Sequence, residues 1–268
     1  FRSVRDSENP ECFDREIWKQ MAEQGLSGIL IPEEYGGSNF GLSGIGVVLQ
    51  ELGRTLTPSP LFATAVLGAS LISKLGTDEQ KKKYLPEIAN GNLTCCFAFE
   101  EGPRHNPKIS EVTAEKKGEK FLINGKKCFV VDGGFADLII IAAKSSKSTS
   151  LFLAQKDSKG IEVKEAKMVD SRNSANILFT DLEINSENVL GEIDNAQDTI
   201  EEVLDIARAA ISAEMLGGAL EAFEITVNYL KEREQFGVKI GSFQALQHRA
   251  ANMFTELELC KSCVLESL

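Results

Sequence analysis

The stretch YLKEREQFGVKIGSFQ, Tyr229 to Gln244, decides how the rest of the chain is read. A helical pattern runs into Gly237, and glycine readily takes the left-handed conformation that closes a helix. Ser242 offers an N-cap oxygen for a second helix, with Gln244 just inside it. The turn between them displays Arg233 and Gln235 beside Phe236 and Phe243. Arginine is a forked donor suited to phosphate oxygens, and the aromatic rings suit the wall of a flat ligand. An Arg on a helix shoulder is ordinarily structural, so the turn alone identifies no ligand.

Outward from this turn the period is helical on both sides. From Asp194 onward Ile200, Val203, Leu204, Ala207, Ile211 and Met215 fall on one helical face. Gly217-Gly218 inside that pattern costs about 1 kcal/mol per residue relative to Ala, which makes sense where another backbone packs closely. The last helix carries Leu246, Met253, Leu257, Cys260 and Val264. Cys260-Lys-Ser-Cys263 matches C-x-x-C, but it sits in an apolar helical pattern with no neighbouring His or second pair. It reads as buried packing.

Residues 1–93 read as helices joined by short turns. Asp14 caps a helix with Ile17, Trp18 and Met21 on one face, closed by Gly25. Ile45, Val48, Leu49 and Leu52 repeat at helical spacing and stop at Gly53. Ser59-Pro60 opens a helix through Leu61, Leu67 and Leu71 to Gly76. Thr77 to Gln80 is a capping box, followed by the apolar side Tyr84, Leu85 and Ile88. The pattern changes at Thr94. Short strands are expected over 94–99, 121–131, 138–143, 150–153, 161–163 and 175–180, with a hairpin turn at Asn124-Gly125. The reading is an α+β chain: a helical domain over 1–93, a small antiparallel β-domain over 94–191, and the start of a helical bundle over 192–268.

Hydrophobic content of 43%, charged content of 26% and a net charge of −11 describe an ordinary globular protein. The acidic balance opposes nucleic acid or an anionic membrane surface as partner. No apolar run approaches the roughly 18 residues of a membrane span. The chain opens on Phe1 rather than Met, which leaves targeting undecided. Cys12, Cys95, Cys96, Cys128, Cys260 and Cys263 occupy apolar, non-framework positions, favouring a reducing compartment, the cytoplasm. Two histidines, His105 and His248, are too few and too far apart for a histidine-rich metal site.

Several strings in this order resemble the acyl-CoA dehydrogenase family. They are IPEEYGG (Ile31 to Gly37), ELGR (Glu51 to Arg54), GTDEQKKKYLP (Gly76 to Pro86), KGEKFLINGKK (Lys117 to Lys127), SRNSANILFTDLEINSENVLGE (Ser171 to Glu192) and the opening stretch. The resemblance implies the family's fold and FAD-dependent α,β-dehydrogenation of an acyl-CoA. In that chemistry a carboxylate takes the α proton while the β hydride goes to the flavin. It further implies that Arg233, Gln235, Phe236 and Gln244 reach the FAD of a neighbouring subunit. Arg208 matches an Arg near the bound acyl-CoA, with Asp205 one turn earlier, although a helical Asp–Arg pair is commonly only a surface ion pair. An electron-transfer flavoprotein is the implied electron acceptor.

The chain departs from the family on the flavin's own side. Where a Thr-Glu-Pro and a Gly-rich loop are usual, the sequence runs from Glu100 through Glu101, Gly102, Arg104 and His105 to Pro107. A carboxylate replaces a hydroxyl at Glu100, and a solvated strand end is the ordinary reading of the glutamate pair. The next platform reads Phe129-Val130-Val131. Phe129 still suits ring stacking, whereas Val131 lacks the hydroxyl donor. No catalytic base is assigned, because Ala207 stands where some members carry one. The usual Glu is expected beyond Leu268, so the 268 residues alone are expected to be inactive. Two expectations follow: an acyl-CoA dehydrogenase with divergent flavin contacts, or a non-catalytic partner in a heteromer that lends its Arg and Gln to another chain's FAD. The assembly is a homo-oligomer in the first case or a heteromer with a related subunit in the second.

Overall fold

The computed structural model describes residues 2–7, 9, 11–106, 108–109, 111–170 and 172–268. Phe1, Pro107 and Ser171, named above, lie outside the described residues. The chain divides into two compact units, 1–41 with 58–207 and 42–57 with 208–268.

The first unit begins with α1 (Arg2–Asp6) and α2 (Arg15–Glu23). Asp14 caps α2 as its side chain accepts from the Glu16 and Ile17 amides, and Gly25 follows the helix at φ +79°. Trp18 and Met21 are buried, but Ile17 is 43% exposed. It lies about 100° around the helix from Trp18, off a stripe too narrow to hold it. After α3 (Gly41–Thr55), residues 62–68 form a π-helical segment that runs into α4 (Ala69–Leu75). Next comes α5 (Asp78–Ala89), with the expected reciprocal capping box between Thr77 and Gln80. The Gln80 amide also donates to the Glu187 and Val189 carbonyls at 2.9 Å, which ties this helix start to the sheet region.

Eight strands form one sheet: β1 (Cys95–Ala98), β2 (Thr113–Lys117), β3 (Lys120–Val131), β4 (Leu138–Lys144), β5 (Thr149–Gln155), β6 (Ile161–Lys167), β7 (Asn173–Asn185) and β8 (Val189–Leu190). The order is β6-β7-β3-β2-β4-β5-β8, with β1 beside β4. The sheet is mixed rather than purely antiparallel: β1 and β2 each pair with β4 in parallel. The long path from β1 to β4 through the β2–β3 hairpin supplies the crossover that a parallel pair needs. Asn124-Gly125 is a bulge inside β3, not a turn, and β3 passes through it to Val131. Its side-chain amide exchanges bonds with Asp181, and a Cβ on Gly125 would meet Val112 at 2.8 Å. The hairpin turn lies at Gly118 instead, at φ +64°. Phe121, Ile123, Ile139, Ile141, Phe152, Ile177 and Phe179 fill the core beneath the sheet.

α6 (Gln197–Glu232) is shared by the two units, and the second unit adds β9 (Glu234–Gln235), β10 (Val238–Lys239) and α7 (Gln244–Ser267). Gly53 does not stop α3, which continues to Thr55 and closes on Leu56 at φ +50°. Its role is close approach: a Cβ on Gly53 would lie 2.0 Å from the Glu214 carbonyl, and one on Gly217 1.9 Å from that of Gln50. The backbone packing expected at Gly217 is present. Met215 is 70% exposed, because the buried face there is made by Ala213 and Leu216. Leu257 and Val264 of α7 join them, with Leu268 at its end. Cys260 and Cys263 are exposed, contrary to expectation, because only one side of α7 makes that contact.

A cleft beside the end of β1

A cleft of about 480 Å³ in the first unit is lined by Glu100, Gly102, Arg104, His105, Cys128, Phe129 and Asn176 among others. Its geometry starts from strand register. Lys127 pairs with Ile177 and Val130 with Ala175, so Cys128 and Phe129 together face the single residue Asn176. That is a β-bulge, a device that re-aims a side chain. Phe129 takes φ +54°, its amide donates to Asn176 Oδ1 at 3.4 Å, and it stays 58% exposed. The Cys128 amide donates to the Glu100 carbonyl at 2.7 Å, which fastens the chain after β1 to the bulge. Two residues singled out separately in the sequence, Glu100 and Phe129, thus share one wall. Val131 is half-buried and does not line the cleft.

Glu101 is not a solvated strand end. Its carboxylate meets Lys127 Nζ at 3.0 Å, and neither side chain exceeds 8% exposure. Lys127 also donates to the Phe99 carbonyl at 2.8 Å, and Glu101 accepts from the Glu111 and Val112 amides at 2.9 Å. Burial pushes the Lys127 ammonium down to about 8, against the pull of Glu101. At the mouth, His105 Nδ1 lies 2.6 Å from Glu100 Oε1. Behind the platform Asp132 is buried at φ +60°. Burial raises its carboxyl to about 7, and Arg172 opposes the rise.

His105, Lys127 and Asn176 were not found as site residues by reading the sequence. Nothing local marks them, since Asn176 and Lys127 join the site only through the pairing of β3 with β7 and the path after β1.

The second unit presents Arg233 to Gln244 differently from expectation. α6 ends at Glu232, and Phe236-Gly237 is the two-residue turn of the β9–β10 hairpin, both residues left-handed at φ +56° and +77°. That pair of angles is what tight hairpins require. Ser242 does not cap α7; Phe243 occupies the N-cap, and the Ser242 hydroxyl donates to the Lys239 carbonyl. Gln244 does open the helix. Arg233, Gln235 and Gln244 are exposed, and Phe236 is 91% exposed with its ring edge-on to Phe243 at 6.1 Å. Asp205 and Arg208 are both exposed on α6, whereas Ala207 is buried. Among the described residues no helix is long and apolar enough to cross a membrane, and no group of His, Cys, Asp and Glu is arranged to hold a metal.

Three family models match in order: the acyl-CoA dehydrogenase N-terminal domain over residues 2–92, the middle domain over 96–185 and the C-terminal domain over 198–268. The probable acyl-CoA dehydrogenase YngJ of Bacillus subtilis is 33% identical over 267 residues, covering 95% of this chain and 70% of that protein. A solved chain described with the electron transferring flavoprotein of Acidaminococcus fermentans superposes with a TM-score of 0.90 at 32% identity, over 99% of this chain and 73% of its own. A variant of the Tcur3481-Tcur3483 steroid ACAD gives 0.88 at 32% identity, over 99% of this chain and 70% of its own.

Proposed function

Since this chain belongs to the acyl-CoA dehydrogenase family, we propose that it works as an FAD-dependent oxidoreductase on the Cα–Cβ bond of an acyl-CoA thioester. The observation that carries this reading is the cleft at Glu100 and Phe129, which brings together the two stretches that stand where the family carries its flavin platform, although the residues there differ. FAD supplies the hydride acceptor of this chemistry. The residues present fit it. The cleft lies within the range of roughly 300–1,000 Å³ that small-ligand sites span, and the bulge leaves the Phe129 ring exposed for stacking.

Each side chain then has a role. Phe129 stacks on the ring system. Val131, half-buried and off the cleft wall, lends apolar packing without a hydrogen bond. Arg233, Gln235, Phe236 and Gln244 belong to the FAD of a neighbouring subunit, where a guanidinium and two amides suit pyrophosphate oxygens. Asp205 and Arg208 serve the acyl-CoA. Ala207 cannot take a proton, and no base is assigned within residues 1–268. An electron-transfer flavoprotein is the proposed acceptor, and free cysteines, of which Cys12, Cys95 and Cys96 are buried, fit the reducing cytoplasm.

One observation favours a second reading, a partner subunit within a heteromer: Glu100 and Val131 stand where hydroxyl donors are usual. The relatives favour the enzyme. Spectra of the purified protein decide between them. One flavin per chain, bleached by an acyl-CoA, supports the enzyme. A colourless protein that gives a yellow complex only with a related subunit, at less than one FAD per chain, supports the partner.

A further inference from the structure

A carboxylate beside a flavin is unfavourable, because the reduced ring gathers negative charge and a second anion nearby opposes it. The backbone of Glu100 is fixed at the cleft. Its carbonyl is held by the Cys128 amide at 2.7 Å, on the bulge that carries Phe129, and its side chain is only 29% exposed. The group that meets its carboxylate is His105, whose Nδ1 lies 2.6 Å from Oε1, short even for a charge-assisted bond. The imidazole ring centre lies 6.2 Å from that of Phe99, at the end of β1, and both Glu100 and His105 line the cleft. Arg104 lines it too, adding a cation at the same mouth.

We infer that His105 is a positioning residue that holds the Glu100 carboxylate turned by a hydrogen bond, so that this chain holds and reduces a flavin in its own cleft without the usual hydroxyl. The inference rests on the proposed flavin chemistry, and it assigns Glu100 and His105 to one unit rather than to two separate surface side chains. The imidazole Nδ1–H donates to Glu100 Oε1, and no bond is made or broken.

The test is a double-mutant cycle on the flavin-stripped protein, titrated with FAD and followed by flavin fluorescence and by the midpoint potential of the bound flavin. His105→Ala is expected to weaken FAD binding about tenfold and to lower the midpoint potential. Glu100→Gln is expected to raise the potential, and adding His105→Ala to it is expected to change neither affinity nor potential further. A purely structural histidine would cost the same in both backgrounds. Unchanged affinity and potential in His105→Ala would overturn the inference while leaving the dehydrogenase reading intact. Failure of the parent protein and of Glu100→Gln alike to take up FAD would overturn both.

Discussion

Lys127 and Asp132, five residues apart on one strand and the turn after it, are buried charges with opposite consequences. Lys127 has Glu101 at 3.0 Å and a carbonyl partner at 2.8 Å. Replacing it with Met removes the only buried cation described opposite Glu101 and is expected to cost about 3–5 kcal/mol in urea unfolding. Adding Glu101→Gln should recover part of that loss. Asp132 instead carries its burial as a pH-dependent cost. Its carboxyl rises from 3.8 in the unfolded chain to about 7 in the folded one, so the folded state holds its proton longer. Stability from this group is therefore fully present below pH 4, falls as pH rises toward 7, and stays low above it. Asp132→Asn should thus stabilise the protein more at pH 8 than at pH 4, by about 4 kcal/mol. Denaturation midpoints at the two pH values check this, and an equal gain at both would contradict it.

At the scale of elements, the second unit depends on glycines that let helices touch. A Cβ on Gly217 would stand 1.9 Å from the Gln50 carbonyl, and one on Gly53 2.0 Å from that of Glu214. Both contacts are with backbone, which cannot rotate away as a side chain would. Gly217→Ala is therefore expected to destabilise by about 3 kcal/mol, even though alanine favours the helix by about 1 kcal/mol. Gly218 is the control, because a Cβ there comes only within 3.6 Å of the Gly53 carbonyl. Gly218→Ala should be neutral or mildly stabilising. Thermal unfolding of the two variants separates close packing from helix propensity.

For the molecule as a whole, the exposed hairpin carries the proposal that FAD is shared between chains. Arg233 is exposed beside a 91% exposed Phe236, a combination suited to a surface that meets something else. Arg233→Ala is expected to weaken flavin retention roughly tenfold or more without altering unfolding of the flavin-free protein. Size-exclusion chromatography with flavin absorbance follows retention and oligomeric state, and thermal denaturation follows the unfolding. A monomeric protein that keeps its flavin after the substitution would remove the shared-site proposal.

The sequence by itself determined what depends on neighbours along the chain. The Asp14 cap and the Thr77–Gln80 capping box are satisfied within a few residues, so their residue types suffice to name them. The order of helical, β and helical regions was legible for the same reason. Tertiary structure decided everything that pairing across the chain controls. Asn124-Gly125 has the composition of a hairpin turn, yet β7 pairs across it and makes it a bulge. Gly237 closes a hairpin rather than a helix, because Val238 pairs back onto Gln235. Gly53 reads locally as a stop, and only the approach of Glu214 explains it. The cleft follows the same rule. Glu100, His105, Phe129 and Asn176 come from three separate stretches, and only strand register and the fastening of Cys128 to Glu100 bring them to one wall.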